Sequence, residues 1–401
     1  MYLYCDQICL PQGRFFDGYL KIENGKISEI RNQKPENEEV IDYSGYYILP
    51  GFIDIHIHGW GTGSFINDKS AAAVLKMSKD LPDTGVTSFL ATSGAEEIDE
   101  IKKGIDSVAE IMSKPQVNGA QVLGVHLEGP FISAEHKGMQ REECCLYPDL
   151  ELMKEFIKYQ DQRVVKLMTL APELPNADKL IQMCFDNRIQ VSAGHTGATF
   201  EDIKRLKDYG IGGVTHMFSG MRGFHHRELG VVGAAWYFDD LYCEFAKQTG
   251  MTVRPEAFAL TYKLKGAEKI IMTTDCAGLG QSNRQKYHYI RKITMIPDGE
   301  FLIIRHDDGR EERYRRDNYE EVKHLEMGYL ESVQNMVRNV HPQMHEVARM
   351  TAENPAKYIG VFDQKGSLEA GKDADLIVLD KEYELQATYC RGNLAFVKKG
   401  E

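Results

Sequence analysis

The chain has 401 residues, 42% of them hydrophobic and 27% charged, with a formal net charge of −12 and a pI of about 5.6. That length suits one large domain plus a smaller one, and the interspersed acidic excess argues against nucleic acid or an anionic membrane as partner, leaving a small molecule. No basic leader precedes an apolar run, and no apolar run nears the roughly 20 residues a bilayer requires, so a cytoplasmic protein is expected.

The first 50 residues alternate polar and apolar positions, and Tyr19 to Glu23, then Asn24-Gly25, then Lys26 to Ile30 reads as a β-hairpin. From Leu49 to Asp275 the pattern changes to short apolar runs separated by helical stretches, which predicts repeated βα units. Strands are expected near 53–57, 86–91, 122–127, 164–170, 190–193, 213–216, 241–246 and 270–274, and eight is the number that closes a barrel. Helices such as 69–81 and 200–209 fall between them, with Thr199 as an N-cap. Residues 286–316 break the rhythm with the turn signals Pro297-Asp298-Gly299 and Asp307-Asp308-Gly309, and read as a β-hairpin insertion; the mixed charges of Arg310 to Arg316 suit a solvated surface. Helical patterns resume over 329–339 and 345–352, Asn354-Pro355 marks a boundary, and Gly371 to Asp380 and Thr388 to Val397 look like short strands. The fold expected is α/β: a (β/α)8 TIM-like barrel over 51–357, and a small β-sandwich domain built from 1–50 and 358–401. Eight cysteines without a C-x-x-C pair are too sparse for a disulfide framework and read as reduced thiols, with Cys276 next to Asp275 at the barrel mouth.

His56, His58, Glu128, His195, His216 and Asp275 each fall at or near the carboxyl end of an expected strand. A barrel gathers those ends at one mouth, so residues scattered between positions 56 and 275 converge on one site. His56 and His58 share a strand face, about 7 Å apart along the backbone, close enough to share a metal. Gly59, Gly61 and Gly63 after them let backbone approach a ligand. Glu128 follows an apolar strand at Gly129-Pro130, where a carboxylate is expelled to solvent unless paired or coordinated. His126 shares its face one layer deeper and is either a support, a core residue or a ligand. His195 and His216 with Glu128 form a set of two imidazoles and a carboxylate, common around a catalytic divalent metal with an open position. Asp275 is placed as a metal-linked general base, the plainer alternative being a structural ion pair.

These residues lie in strings: His126-Leu127-Glu128-Gly129-Pro130-Phe131-Ile132, Lys137-Gly138, Gly194-His195-Thr196, Thr215-His216-Met217-Phe218, His226-Arg227-Glu228, Thr274-Asp275, Asn354-Pro355-Ala356 and Gly371 to Leu376. In this order, over essentially the whole chain, they resemble the N-acetylglucosamine-6-phosphate deacetylases of the amidohydrolase superfamily. The resemblance implies a metal-carrying barrel with a terminal β-sandwich, a homodimer, and removal of acetate from an acetamido sugar phosphate. It implies that Glu128, His195 and His216 bind the main ion, that His56 and His58 match members holding a second, and that Asp275 is the catalytic acid and base. One or two divalent ions per subunit are expected, zinc first, with iron, cobalt or manganese suited to the same ligands. No lysine ends the fourth strand, where other amidohydrolases carry a carboxylated one; Lys166 is mid-strand and reads as snorkelling or outward, which argues against a dihydroorotase or hydantoinase type.

The substrate positions depart from the family's pattern. Met139-Gln140 stand where a small residue and a histidine are usual, and Met217-Phe218-Ser219-Gly220-Met221 lacks the usual asparagine. The stretch Gln248 to Thr252 replaces an Ala-Asp-Gly-x-His string, and Leu229 replaces a proline. Gln140, Ser219, Gly220, His226, Arg227 and Thr252 are therefore the candidate substrate residues. Arg227 resembles the family's phosphate contact donated by the neighbouring subunit, and Arg222 could add to it. His225 and His226 either assist or cap a loop. The substrate expected is an N-acetyl amino sugar, N-acetylglucosamine-6-phosphate or a close relative. The alternatives are another N-acyl or amide substrate, and a barrel without catalysis used for binding.

Overall fold

The computed structural model describes residues 1–247, 252–289 and 291–398. Eight parallel strands, each paired with its sequence neighbours, form the central sheet: β1 (Phe52–Ile57), β2 (Val86–Ser93), β3 (Gln121–Glu128), β4 (Val165–Leu170), β5 (Gln190–Ala193), β6 (Ile211–Val214), β7 (Tyr242–Phe245) and β8 (Ile270–Met272). The eight expected runs are these strands, and nearly all their residues are buried, because helices cover the outer face while neighbouring strands fill the inner one. β6 and β8 end earlier than expected. They stop two and three residues before His216 and Asp275, whose φ angles of 30° and 49° turn the chain left-handed out of the ladder.

The ring closes between β1 and β8 through specific bonds rather than a regular ladder. Asp275 N–H donates to His56 O at 2.8 Å, and His58 and Gly59 N–H both reach Cys276 O, at 2.8 and 2.9 Å. The Thr274 hydroxyl donates to Asp54 Oδ2 at 2.7 Å; Asp54 is fully buried, and burial pushes its carboxyl up to about 7. The far end of the barrel is plugged by Ile53, Ile55, Leu90, Leu123, Leu167 and Ile271 packed on Ala356, Tyr358 and Ile359.

Helices alternate with the strands: α1 (Ala71–Asp80), α2 (Ile98–Met112), α3 (Leu150–Phe156), α4 (Ala177–Asp186), α5 (Phe200–Leu206), α6 (Gly230–Tyr237) and α7 (Pro255–Lys265). Ser70 caps α1 by accepting from Ala73 N–H, and Thr199 caps α5 as expected, in a reciprocal box with Asp202. α8 (Tyr329–Val340) follows the insertion; the helical stretch expected at 345–352 is Met344–Ala348 continued by a π-helical turn, Arg349–Glu353, into Asn354–Tyr358. So Asn354-Pro355 does not end the helical run.

Strands from both termini form one branched eight-stranded sheet around a core of its own that includes Leu3, Ile8, Leu20, Ile27, Ile48, Leu376, Val378 and Tyr389. Its two halves meet where Tyr47–Pro50 pairs antiparallel with Leu376–Leu379. The expected hairpin joins Phe15–Glu23 to Lys26–Arg31 through Asn24 and Gly25, whose φ angles of 51° and 77° suit a tight left-handed turn. The insertion is larger than one hairpin: Lys286–His288, Ile293–Asp298, Phe301–His306 and Glu311–Arg315 make a four-stranded antiparallel sheet. The charged run lies on its edge strand and forms exposed pairs such as Arg305–Glu311 and Arg313–Asp298, as a solvated surface requires.

Asn354 links the plug to the sheet. Buried, it donates from Nδ2 to Ala267 O and Ile270 O, both at 2.7 Å. Asn354→Ala leaves both buried carbonyls short of a donor and is expected to cost about 2–3 kcal/mol, seen as a fall in the denaturant midpoint; an unchanged midpoint would show that this bridge carries no stability.

Candidate metal centre

At the carboxyl end of the barrel, Glu128 is the point on which four imidazoles converge. Its Oε1 lies 3.2 Å from His56 Nε2, 3.1 Å from His195 Nε2 and 3.1 Å from His216 Nε2, and its Oε2 lies 3.3 Å from His58 Nε2. Asp275 Oδ1 stands 3.3 Å from His58 Nε2 and 3.6 Å from His56 Nε2. The structure thus brings all six strand-end residues together. Glu128 is 2% exposed, whereas the Asp275 side chain is 29% exposed, the most open of the six.

The partners behind the rings assign their tautomers. The Nδ1–H of His56 donates to Glu244 Oε1 at 2.7 Å, that of His58 to Thr92 O at 3.0 Å, and that of His195 to His136 O at 2.9 Å. Each Nε2 then presents a lone pair toward the Glu128 oxygens, and His195 and His216 Nε2 face each other at 3.1 Å. His56 Nε2 is buried and makes no well-directed hydrogen bond. Acceptors facing acceptors in a dry pocket call for a cation, and two triads have their ligand atoms close enough to hold one: His56, His58 and Glu128, and Glu128, His195 and His216.

Without a metal, protons take the cation's place. Burial works against charged His56, but the Glu244, Glu128 and Asp275 carboxylates outweigh it and hold its pKa well above the usual value. Burial likewise opposes charge on His58, and its bonds to Asp275 and Glu128 carry it up to about 9. Burial raises the carboxyls, yet His56, His195 and His216 pull Glu128 well below its range, and His56 and His58 bring Asp275 to about 2. His126 is not among the ligands. Its Nε2 meets Thr169 Oγ1 at 2.8 Å, its ring lies 4.6 Å from that of His56, and burial followed by the positive charge of His56 drives its pKa well down, so it underlies the site as a neutral ring. Lys166 is buried in β4, where desolvation lowers it to about 8. Cys276 is buried too, its thiol pushed up to about 12 by desolvation and directed to Met327 O, so it is no nucleophile.

The candidate substrate residues are more dispersed. Gln140 is engaged with the metal ligands: its Oε1 accepts from Ala95 N–H at 2.9 Å and its Nε2 donates to Glu128 Oε2 at 2.5 Å. Gly220, with φ 58°, backs the His195 ring, and a Cβ there would lie 3.0 Å from its Nδ1. Ser219 donates to Thr252 O at 3.0 Å, while the rest of the stretch, Gln248 to Met251, lies outside the described residues. Arg222, His225, His226 and Arg227 sit on one exposed loop, and the Arg227 guanidinium has no ion-pair partner among the described residues. Sequence reasoning missed Glu244 and the buried Lys247, whose Nζ lies 3.4 Å from Asp275 O and 3.7 Å from Glu326. The available signal was a charged side chain inside or just after the apolar run at 241–246.

The sequence profile of the amidohydrolase family matches residues 47–400. The chain belongs to the amidohydrolase family. It is 34% identical to N-acetylglucosamine-6-phosphate deacetylase of Bacillus subtilis, over 96% of this chain and 94% of that one. It is 27% identical to N-acetylgalactosamine-6-phosphate deacetylase of Escherichia coli O157:H7, over 97% of both. Among solved structures, N-acetylglucosamine-6-phosphate deacetylase from Pasteurella multocida superposes with a TM-score of 0.82 at 27% identity, over 98% of this chain and 99% of that one. Like its relatives, this amidohydrolase is a barrel with a sheet-rich terminal part, and the family implies a divalent metal that the Glu128 cluster fits.

Cation uptake here must displace protons. A pKa near 9 for His58, above its ordinary 6.5, means that the protonated ring stabilises the metal-free fold below pH 6.5 and that this contribution fades as pH rises through 9. Apparent cation affinity is expected to grow over the same window, with at least one proton released per ion at pH 7. Calorimetry in buffers of different ionisation enthalpy reads this directly; pH-independent affinity between 6.5 and 9 would contradict it.

Proposed function

We propose that this amidohydrolase removes the acetyl group from N-acetylglucosamine-6-phosphate or a close relative, giving the amino sugar phosphate and acetate. The observation that carries the reading is the convergence of four imidazoles on Glu128 with Asp275 alongside. The names of its relatives, deacetylases of N-acetylglucosamine- and N-acetylgalactosamine-6-phosphate, supply the substrate class.

Glu128, His195 and His216 would hold the main ion, and His56, His58 and Glu128 a second; zinc fits these donors, as do iron, cobalt and manganese. A divalent ion so held lowers the pKa of water and polarises an amide carbonyl, which offsets the weakness of both reactants at neutral pH. The protein supplies the proton path. Asp275 accepts the proton of the attacking water at its carboxylate and returns it to the departing amine nitrogen as the C–N bond breaks. His58 and His56 beside Oδ1 fix its orientation. Ser219, Gly220 and Thr252 border the ligands and would face the sugar, while Arg227 and His226 on their exposed loop would meet a phosphate. Gln140 would act on substrate through Glu128.

A homodimer belongs to this reading. Phe224 in the Arg227 loop, Tyr237 on α6 and Leu260 and Leu264 on α7 are 52%, 68%, 45% and 55% exposed, large apolar side chains that a second copy of the chain would cover. Light scattering that reads one chain per particle would remove it. A cytoplasmic setting is supported by eight unpaired cysteines, seven of them buried; no helix among the described residues is long and apolar enough to cross a membrane.

Acetate release from N-acetylglucosamine-6-phosphate, N-acetylgalactosamine-6-phosphate and free N-acetylglucosamine tests the proposal. The phosphorylated sugars are expected to react with kcat/KM at least about tenfold higher, the worth of one charge-assisted hydrogen bond. Equal kcat/KM for the free sugar would sink the phosphate assignment, and no acetate from any of them would sink the function. Asp275→Asn is expected to retain bound metal while kcat falls at least about 100-fold; near-full activity would take Asp275 out of the mechanism.

A further inference from the structure

Glu244 belongs to neither group of metal-ligating side chains, yet it touches a member of each. It sits on β7 between Cys243 and Phe245 and is 3% exposed. Its Oε1 accepts from His56 Nδ1–H at 2.7 Å and from the backbone N–H of His216 at 3.2 Å. Its Oε2 is buried with no hydrogen-bond partner among the described residues. A carboxylate held dry with one oxygen unsatisfied carries a desolvation cost that nearby positive charge must offset.

We propose that Glu244 is a positioning residue that makes His56 a cation ligand and so gives the site its second cation position, together with His58 and Glu128. The inference rests on reading the cluster as a divalent-cation site. Of the rings whose Nδ1–H has a partner here, His58 and His195 donate to neutral carbonyls, Thr92 O and His136 O, while His56 alone donates to a carboxylate. A carboxylate behind an imidazole fixes the tautomer that points a lone pair from Nε2 and makes that lone pair more basic. Because the same oxygen also holds the His216 N–H, where the chain turns at φ 30°, the two cation positions share a support.

The test is metal titration of the stripped full-length protein with Mn2+, read by bound-metal analysis and by electron paramagnetic resonance. Wild-type protein is expected to take two equivalents and show a spin-coupled pair. In Glu244→Gln, the amide oxygen can still accept from His56 Nδ1–H and His216 N–H but carries no negative charge, so the His56 Nε2 lone pair loses the basicity that the carboxylate lends it. The second equivalent should then weaken by about 10–100-fold with loss of the coupled signal, while the first is retained. His56→Asn should give the same one-equivalent protein, and adding Glu244→Gln to it should cause no further loss. A Glu244→Asp variant, one methylene shorter, should show the second-site loss even if Glu244→Gln does not fold. Two equivalents at wild-type affinity in a folded Glu244 variant would overturn the inference, as would equal loss of both. Wild-type protein that takes one equivalent and still releases acetate would also overturn it and leave the proposed function standing. Two equivalents with the predicted variant behaviour, but no acetate from any acetamido sugar, would sink that function and leave this inference intact.

Discussion

The structure turns on a carboxylate that cannot be buried alone. Glu128 ends an apolar strand and is almost fully removed from water, and an isolated charge there is far too costly to persist. Imidazoles from β1, from just past β5 and from just past β6 surround it, so three separate strand ends must be in register for its charge to be met. Protons on His56 and His58 meet that charge when no metal is bound, and divalent cations meet it when one is; the competition between the two makes cation binding depend on pH.

Convergence also demands an unusual backbone. His195, His216 and Asp275 have φ angles of 47°, 30° and 49°, a left-handed region that costs a non-glycine residue about 1–3 kcal/mol. Strands that simply continued would carry these side chains above the mouth; the turn swings them back over it. The ring closure between β1 and β8 works in the same direction, since the Asp275 N–H that bonds His56 O sets the Asp275 carboxylate against the first pair of histidines. Below them, neutral His126 and the Thr169–Thr215 hydroxyl contact fill the layer between the site and the apolar plug. Fold and site are thus supported by the same few strand ends.

Much of this was readable in the chain. The eight barrel strands announce themselves as apolar runs because parallel strands are buried on both faces, and His56, His58, Glu128, His195, His216 and Asp275 stand out because a polar residue at the end of such a run needs a reason. Thr199 was readable because capping is local chemistry. Glu244 was not, since a single charge inside a run of Tyr, Cys and Phe has no local signature separating a turned-out side chain from one aimed at a histidine almost 190 positions away. Early strand ends at β6 and β8 escaped because left-handed histidine and aspartate look like any others in sequence. The insertion read as one hairpin because its outer strands, Lys286–His288 and Glu311–Arg315, are polar and half exposed, so hydrophobic pattern marks only the inner pair. Gln140 read as a substrate contact from its place in a family string, whereas its amide is spent on Glu128 and Ala95.

The central claim is that Glu128 gathers these histidines around a cation. Anomalous diffraction from crystals of the metal-loaded protein tests it most directly. The account predicts a peak about 2.0–2.2 Å from a Glu128 oxygen and from the Nε2 atoms of His195 and His216. No bound ion at that place in metal-loaded protein, or a cation held without Glu128, would contradict it.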